Sequence, residues 1–202
     1  MRRVVVLFVV SLMLVSLGTV AVAQGPEVRQ FDVLLRSIPF GERDAATLKV
    51  PRGDALVVVR PGNGLFECIG DTPGDARFSV MCYHRSLQHF LAYTRMLADQ
   101  GLLGEAFRER LCAAVERGVI TAPRRALVLT AGANIEPDGS LPDSITVYHL
   151  LQLPNATATE TGLPQVAHRP NAPYLHNGGS CDAHVMWSHR ESIGIDAPPS
   201  PE

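Results

Sequence analysis

The chain has 202 residues, 46% of them apolar, and a formal net charge of −2. That length suits one domain and is too short for a complete (β/α)₈ barrel. The apolar content excludes a wholly disordered chain, and the near-neutral charge argues against a general nucleic-acid binder.

Arg2 and Arg3 precede an apolar run from Val4 to Ala23 that closes on Ala21-Val22-Ala23, the small-x-small pattern accepted by signal peptidase. Residues 1–23 therefore read as a secretory signal peptide, which makes the chain secreted or periplasmic. A run of about 20 apolar residues also just reaches across a bilayer, so an uncleaved leader is the one expected route to a membrane. Without residues 1–23 the 202 fall to 179, two arginines are lost, and 16 cations face 20 acids for a net charge of −4. That balance disfavours nucleic acid as a partner. Lys49 is the only lysine beside 17 arginines, a bias that a GC-rich bacterial genome explains.

Residues 24–50 read as an N-terminal extension, with Val28 to Ile38 a short helix or strand stopped by Pro39. Ala55 to Arg60 is a strand rich in β-branched residues, and Pro61-Gly62-Asn63-Gly64 is a tight-turn signal. Leu65 to Ile69 and Arg77 to Tyr83 are expected to complete an antiparallel meander. Period-two alternation puts Phe66 and Cys68 on one face, and Phe78, Val80, Cys82 and His84 on one face of the next strand. Cys68 and Cys82 can then be cross-strand neighbours, and export would let them pair as a disulfide. Four cysteines allow three pairings, and spacing alone does not choose among them.

Ser86 offers an N-cap to a helix carrying Leu87, Phe90, Leu91 and Leu97 and ending near Gly101. A second helix, Glu105 to Arg117, carries Phe107, Leu111 and Val115 on one side, with Gly118 as its stop. Cys112 within it reads as a buried free thiol. Ala126 to Ala131 and Ile145 to Leu153 are strands around a loop rich in Gly, Pro and Asp. Residues 154–182 show little periodicity, Ala183 to Ser188 is a last short strand, and residues 191–202 form a Pro-rich tail expected to be disordered. Strands on either side of a helical pair imply a single α+β domain over residues 51–190. Its expected form is a mostly antiparallel sheet of about six strands with two helices packed on one face.

The residues that carry chemistry are mainly histidines. His84 continues the face of Cys82, His149 lies on the face of Val147 and Leu151, and His176, Cys181 and His184 form an H-x4-C-x2-H run. Imidazole and thiolate on nearby strands can converge on zinc or copper, so His84, His184, His149, His176 and Cys181 are the candidate ligand or metal site. No C-x2-C pair or H-E-x-x-H signature supports it, and a hydrogen-bonded structural role is the plainer reading of each histidine. Asn177-Gly178-Gly179-Ser180-Cys181 also admits a thiolate nucleophile with His184 or His149 as base. A glycine turn leading into the last strand is the plainer alternative, and the G-x-S-x-G pattern is absent.

Two blocks of motif carry a resemblance. Arg60-Pro61-Gly62-Asn63-Gly64, Cys68 and the Pro73-Gly74-Asp75 loop to Cys82 form one; Gly162-Leu163-Pro164, Pro173-Tyr174-Leu175 and Ala183-His184-Val185-Met186 form the other. Over residues 52–188 the chain resembles a family of bacterial secreted proteins that has no established activity. The resemblance implies a paired Cys68 and Cys82 and draws attention to His184; the Cys82-Tyr83-His84 run belongs to only some members. It supplies no substrate. The leading functional expectation is a non-catalytic module that binds a small molecule or a metal near His84 and His184. The alternatives are a small extracytoplasmic metal- or cysteine-dependent hydrolase and a structural accessory protein of the cell envelope, whose partner would be an envelope protein.

Overall fold

A computed structural model describes residues 26–72, 74, 76–135 and 143–192. The expected signal peptide and all but the first two residues of the expected tail lie outside them. The described residues form a mixed α+β structure around one sheet. Its strands are β1 (Thr47–Arg52), β2 (Ala55–Arg60), β3 (Phe66–Ile69), β4 (Arg77–His84), β5 (Leu127–Asn134), β6 (Ser144–Gln152), β7 (Tyr174–His176) and β8 (His184–Ser192). Their order is β2-β1-β3-β4-β5-β6-β8-β7, antiparallel throughout except for the parallel β1–β3 pair. Helices α1 (Pro26–Arg29), α2 (Asp32–Leu35) and α3 (Phe40–Arg43) precede the sheet. Helices α4 (Gln88–Asp99) and α5 (Gly104–Glu116) join β4 to β5, and α6 (Ala158–Thr161) lies between β6 and β7.

The sheet has eight strands where the sequence pattern indicates about six. Lys49 and Pro51 hide β1 from a propensity reading. Pro51 is tolerated because β1 pairs with β3 only over Thr47–Lys49, leaving the proline clear of that ladder. Three-residue β7 is too short to show a period. The expected meander is also corrected, because β1 stands between β2 and β3. The segment 61–64 is therefore a crossing past β1 and not a hairpin turn. It runs so close to the chain ahead of β1 that a Cβ on Gly62 would sit 2.2 Å from the Ala45 carbonyl oxygen. Only glycine fits there.

Both faces of the sheet are covered, which corrects the expectation of helices on one face. Phe31, Leu34 and Ile38, from the segment read as an extension, bury themselves against Leu48, Cys68, Cys82, Leu129 and Val147 on the first face. On the second face Leu87, Phe90, Leu97 and Leu111 of the helical pair bury themselves with Tyr83 and Val128. The helical pair forms where its apolar stripe predicts, and Gly101 after α4 takes the left-handed conformation, φ +77°, that ends it.

Two disulfides are present, one within the sheet and one between a helix and the β7–β8 turn. Cys68 and Cys82 are register partners on β3 and β4 and are joined. Cys112 of α5 is joined to Cys181 in the β7–β8 turn, 69 residues away, which corrects the reading of Cys112 as a free thiol. In the loop-entropy account they contribute about 3 and about 4 kcal/mol. Two bridges fit an oxidising, extracytoplasmic environment. No helix among the described residues is long and apolar enough to cross a membrane.

The lone lysine has a specific place in this architecture. Lys49 Nζ donates to Glu67 Oε2 at 2.7 Å, and the Tyr83 hydroxyl donates to the same oxygen at 3.0 Å. Arg85 Nε lies 3.7 Å from Glu67 Oε1, while its Nη2 donates to Thr47 Oγ1 and to the Gly62 carbonyl. Burial raises the Glu67 pKa, but the hydrogen bonds from Lys49 and Tyr83 and the two cations outweigh it and hold the group below its ordinary value of 4.5. A carboxylate lowered in the folded state stabilises fully above its unfolded value and loses that contribution as pH falls through the folded one.

Two outcomes are expected. Leu34→Ala, in a fully buried position, should cost about 3 kcal/mol in urea unfolding, because residues 26–46 belong to the core and are no appendage. Glu67→Gln should cost about 2 kcal/mol at pH 7, since it leaves the half-buried Lys49 without its counter-charge. Its stability should also fall less steeply than wild type when pH drops below 4.5.

Candidate functional site

Side-chain parity along the strands decides which candidate residues can meet. One row across the sheet runs Leu48, Cys68, Cys82, Leu129, His149 and Trp187, each the register partner of the next. These residues share the first face. A row on the second face runs Thr47, Glu67, Tyr83, Val128, Leu150, Met186 and Tyr174. His84, two residues after Cys82, belongs with the first face. His184 and its register partner His176 belong with the second, two residues from Met186 and Tyr174. The sheet thus separates His84 and His149 from His176, His184 and Cys181. The expected five-residue site is not assembled.

Each candidate has local partners instead. His84 Nδ1 accepts from the Ser86 backbone N–H at 3.2 Å and lies 2.8 Å from Ser86 Oγ, so it caps the short 3₁₀ turn Arg85–Leu87. Its ring meets Phe66 edge-on, with centroids 5.8 Å apart. His184 Nδ1 lies 2.7 Å from the Asp182 carbonyl oxygen, and its ring centroid is 5.0 Å from that of His176. The glycine-rich turn is closed on itself. Asn177 Nδ2 donates to Asp182 Oδ2 at 2.8 Å, and the Ser180 hydroxyl sits between the Asn177 carbonyl and Asp182 Oδ1. Cys112, Cys181 and Asp182 bring three ligand-type atoms within 4.8 Å, but both sulfurs are spent in their disulfide. The same bond removes Cys181 as a nucleophile.

The sequence pattern missed a titratable group on the first face. His149 Nε2 faces His189 Nδ1 at 3.2 Å. His189 Nε2 lies 3.5 Å from Glu191 Oε2, and Arg36 Nη2 lies 3.2 Å from Glu191 Oε1. Trp187 stacks on the His149 ring at 4.9 Å with planes 10° apart. Burial, then the neighbouring His189, pushes the His149 pKa below its ordinary value. The signal was present in the sequence. Val185, Trp187, His189 and Glu191 alternate on one face once the last strand is carried past Ser188.

A cleft of about 300 Å³ lies beside the β7–β8 edge. Tyr148, Tyr174 and Met186 supply its apolar surfaces, and the 167–172 loop brings His168, Arg169 and Asn171 to it. The Tyr174 hydroxyl is engaged with Met186 Sδ at 3.0 Å, fixing that wall. None of the lining residues is acidic. A larger cleft of about 640 Å³ beside Arg124, Arg125 and Glu160 has no aromatic wall.

No family model, curated protein or solved structure matches this chain. The chemistry must be argued from the side chains themselves.

The placement of His84 has a measurable consequence. His84→Ala should lower unfolding stability by about 1 kcal/mol, the usual cost of a lost cap. The imidazole NMR signals of His149 and His189 should be unmoved, because His84 serves the turn and shares no site with them.

Proposed function

We propose that this protein is an exported, non-catalytic binding module that holds a small organic anion in the cleft at the β7–β8 edge. The observation that carries the reading is the composition of that cleft: aromatic and thioether walls with Arg169, His168 and Asn171 and no carboxylate. Apolar walls with a few placed polar groups are the usual make-up of a small-molecule site, and about 300 Å³ suits a compact ligand. A guanidinium favours a carboxylate or phosphate, which it can engage through two parallel hydrogen bonds. The apolar run at residues 4–23, which reads as a signal peptide, and the two disulfides support action outside the cytoplasm. The non-catalytic part of the reading is favoured over a cysteine hydrolase because every cysteine is bonded to another.

The test is calorimetric titration of the full chain with small aromatic carboxylates and phosphate monoesters, each beside its neutral amide or alcohol analogue. The anions are expected to bind and the neutral analogues to bind at least tenfold more weakly. Arg169→Ala should remove about 2 kcal/mol of binding energy without changing the melting temperature, since Arg169 is exposed. Equal binding of neutral analogues, or undiminished binding by Arg169→Ala, overturns the reading.

A further inference from the structure

We propose that His149 and His189 together bind a divalent transition-metal ion of the zinc or copper class. This site is separate from the cleft, whose Tyr148, Met186 and Ser188 lie on the opposite face of the sheet.

Register explains why the two rings meet. His149 on β6 is the partner of Trp187 on β8, and Val147 is the partner of His189, so the histidines are diagonal neighbours on one face. Such neighbours are within reach of long or aromatic side chains. Their facing nitrogens are 3.2 Å apart. Two imidazole nitrogens bound at 2.0–2.1 Å in a tetrahedral shell stand about 3.3 Å apart, so the rings are already at ligand spacing.

The surroundings are those of a ligand pair held in place. Glu191 Oε2, 3.5 Å from His189 Nε2, favours the proton on that nitrogen and leaves Nδ1 with its lone pair toward His149. A carboxylate behind a ligating histidine sets its tautomer and raises its basicity. Arg36, on the chain segment that covers this face, steadies Glu191 in turn. The Trp187 ring stacked on His149 fixes the plane of the second ligand. With an ion bound, both facing nitrogens present lone pairs to it, and the ring proton of His149 sits on Nδ1. The His189 side chain is 37% exposed, so water reaches the remaining coordination positions. Imidazole nitrogen with water is a donor set suited to zinc and copper and poorly suited to calcium or magnesium.

Trp187 is the only tryptophan in the chain, which gives the site its own reporter. The experiment is titration of the untagged full chain with copper(II) chloride followed by intrinsic fluorescence, with zinc chloride followed by calorimetry. One ion per chain and strong quenching of Trp187 by copper are expected. His189→Gln should weaken both by more than tenfold, with its near-ultraviolet circular dichroism showing that the fold is kept. Glu191→Gln should weaken zinc binding by about 10- to 100-fold, as loss of an outer carboxylate does. His176→Gln, on the other face, should bind as wild type does. Imidazole signals of His149 and His189 should shift together on zinc addition even if a variant proves unstable. Absence of quenching and of heat, wild-type affinity in His189→Gln, or loss of binding in His176→Gln overturns the proposal.

Discussion

The need to bury both faces of one sheet governs this molecule. Its central strands carry apolar side chains in both directions, as Leu127-Val128-Leu129 shows, so each face requires its own cover. The covers come from different stretches of chain. Residues 26–46 close the first face, and the helical pair α4–α5 closes the second. The segment before β1 is therefore a structural layer, although nothing in its short helices would be stable alone. Each disulfide serves one side of this arrangement. Cys68–Cys82 lies in the sheet under the first cover, and Cys112–Cys181 ties the second cover to the β7–β8 turn.

The same two-sidedness distributes the chemistry. Histidines that look like one cluster in the sequence are divided by a layer of backbone. The pair that does meet, His149 and His189, meets because β6 and β8 are neighbours and the parities agree. The Lys49–Glu67–Tyr83–Arg85 group is a further product of the sheet order. Placing β1 beside β3 brings the only lysine to a buried glutamate, and the two cations and the tyrosine hydroxyl satisfy that carboxylate.

The legible parts of the fold were those with a local cause. Helices α4 and α5 follow from their apolar stripes and the glycines behind them. Most strands follow from β-branched runs. The proximity of Cys68 and Cys82 follows because a short loop joins their strands and alternation limits the register. The less legible parts had weak or misleading local signals. Pro51 and Lys49 concealed β1, β7 is three residues long, and the Asn63-Gly64 turn signal marks a crossing and not a hairpin. The Cys112–Cys181 bridge spans 69 residues and leaves no trace in spacing. Of the candidate site residues, His149 finds its partners in His189 and Glu191, which lie beyond Ser188, where the alternating apolar pattern of the last strand ends.

By itself the sequence determined the α+β character, the helical pair, the main strands and the cysteine chemistry expected outside the cytoplasm. These depend on side-chain period, turn residues and composition, which act over a few residues at a time. Tertiary structure decided the strand order, the cover on each face, the partner of Cys112 and which histidines face one another. Those outcomes depend on which apolar surfaces bury each other across long stretches of chain, and surface matching of that kind is written in no single segment.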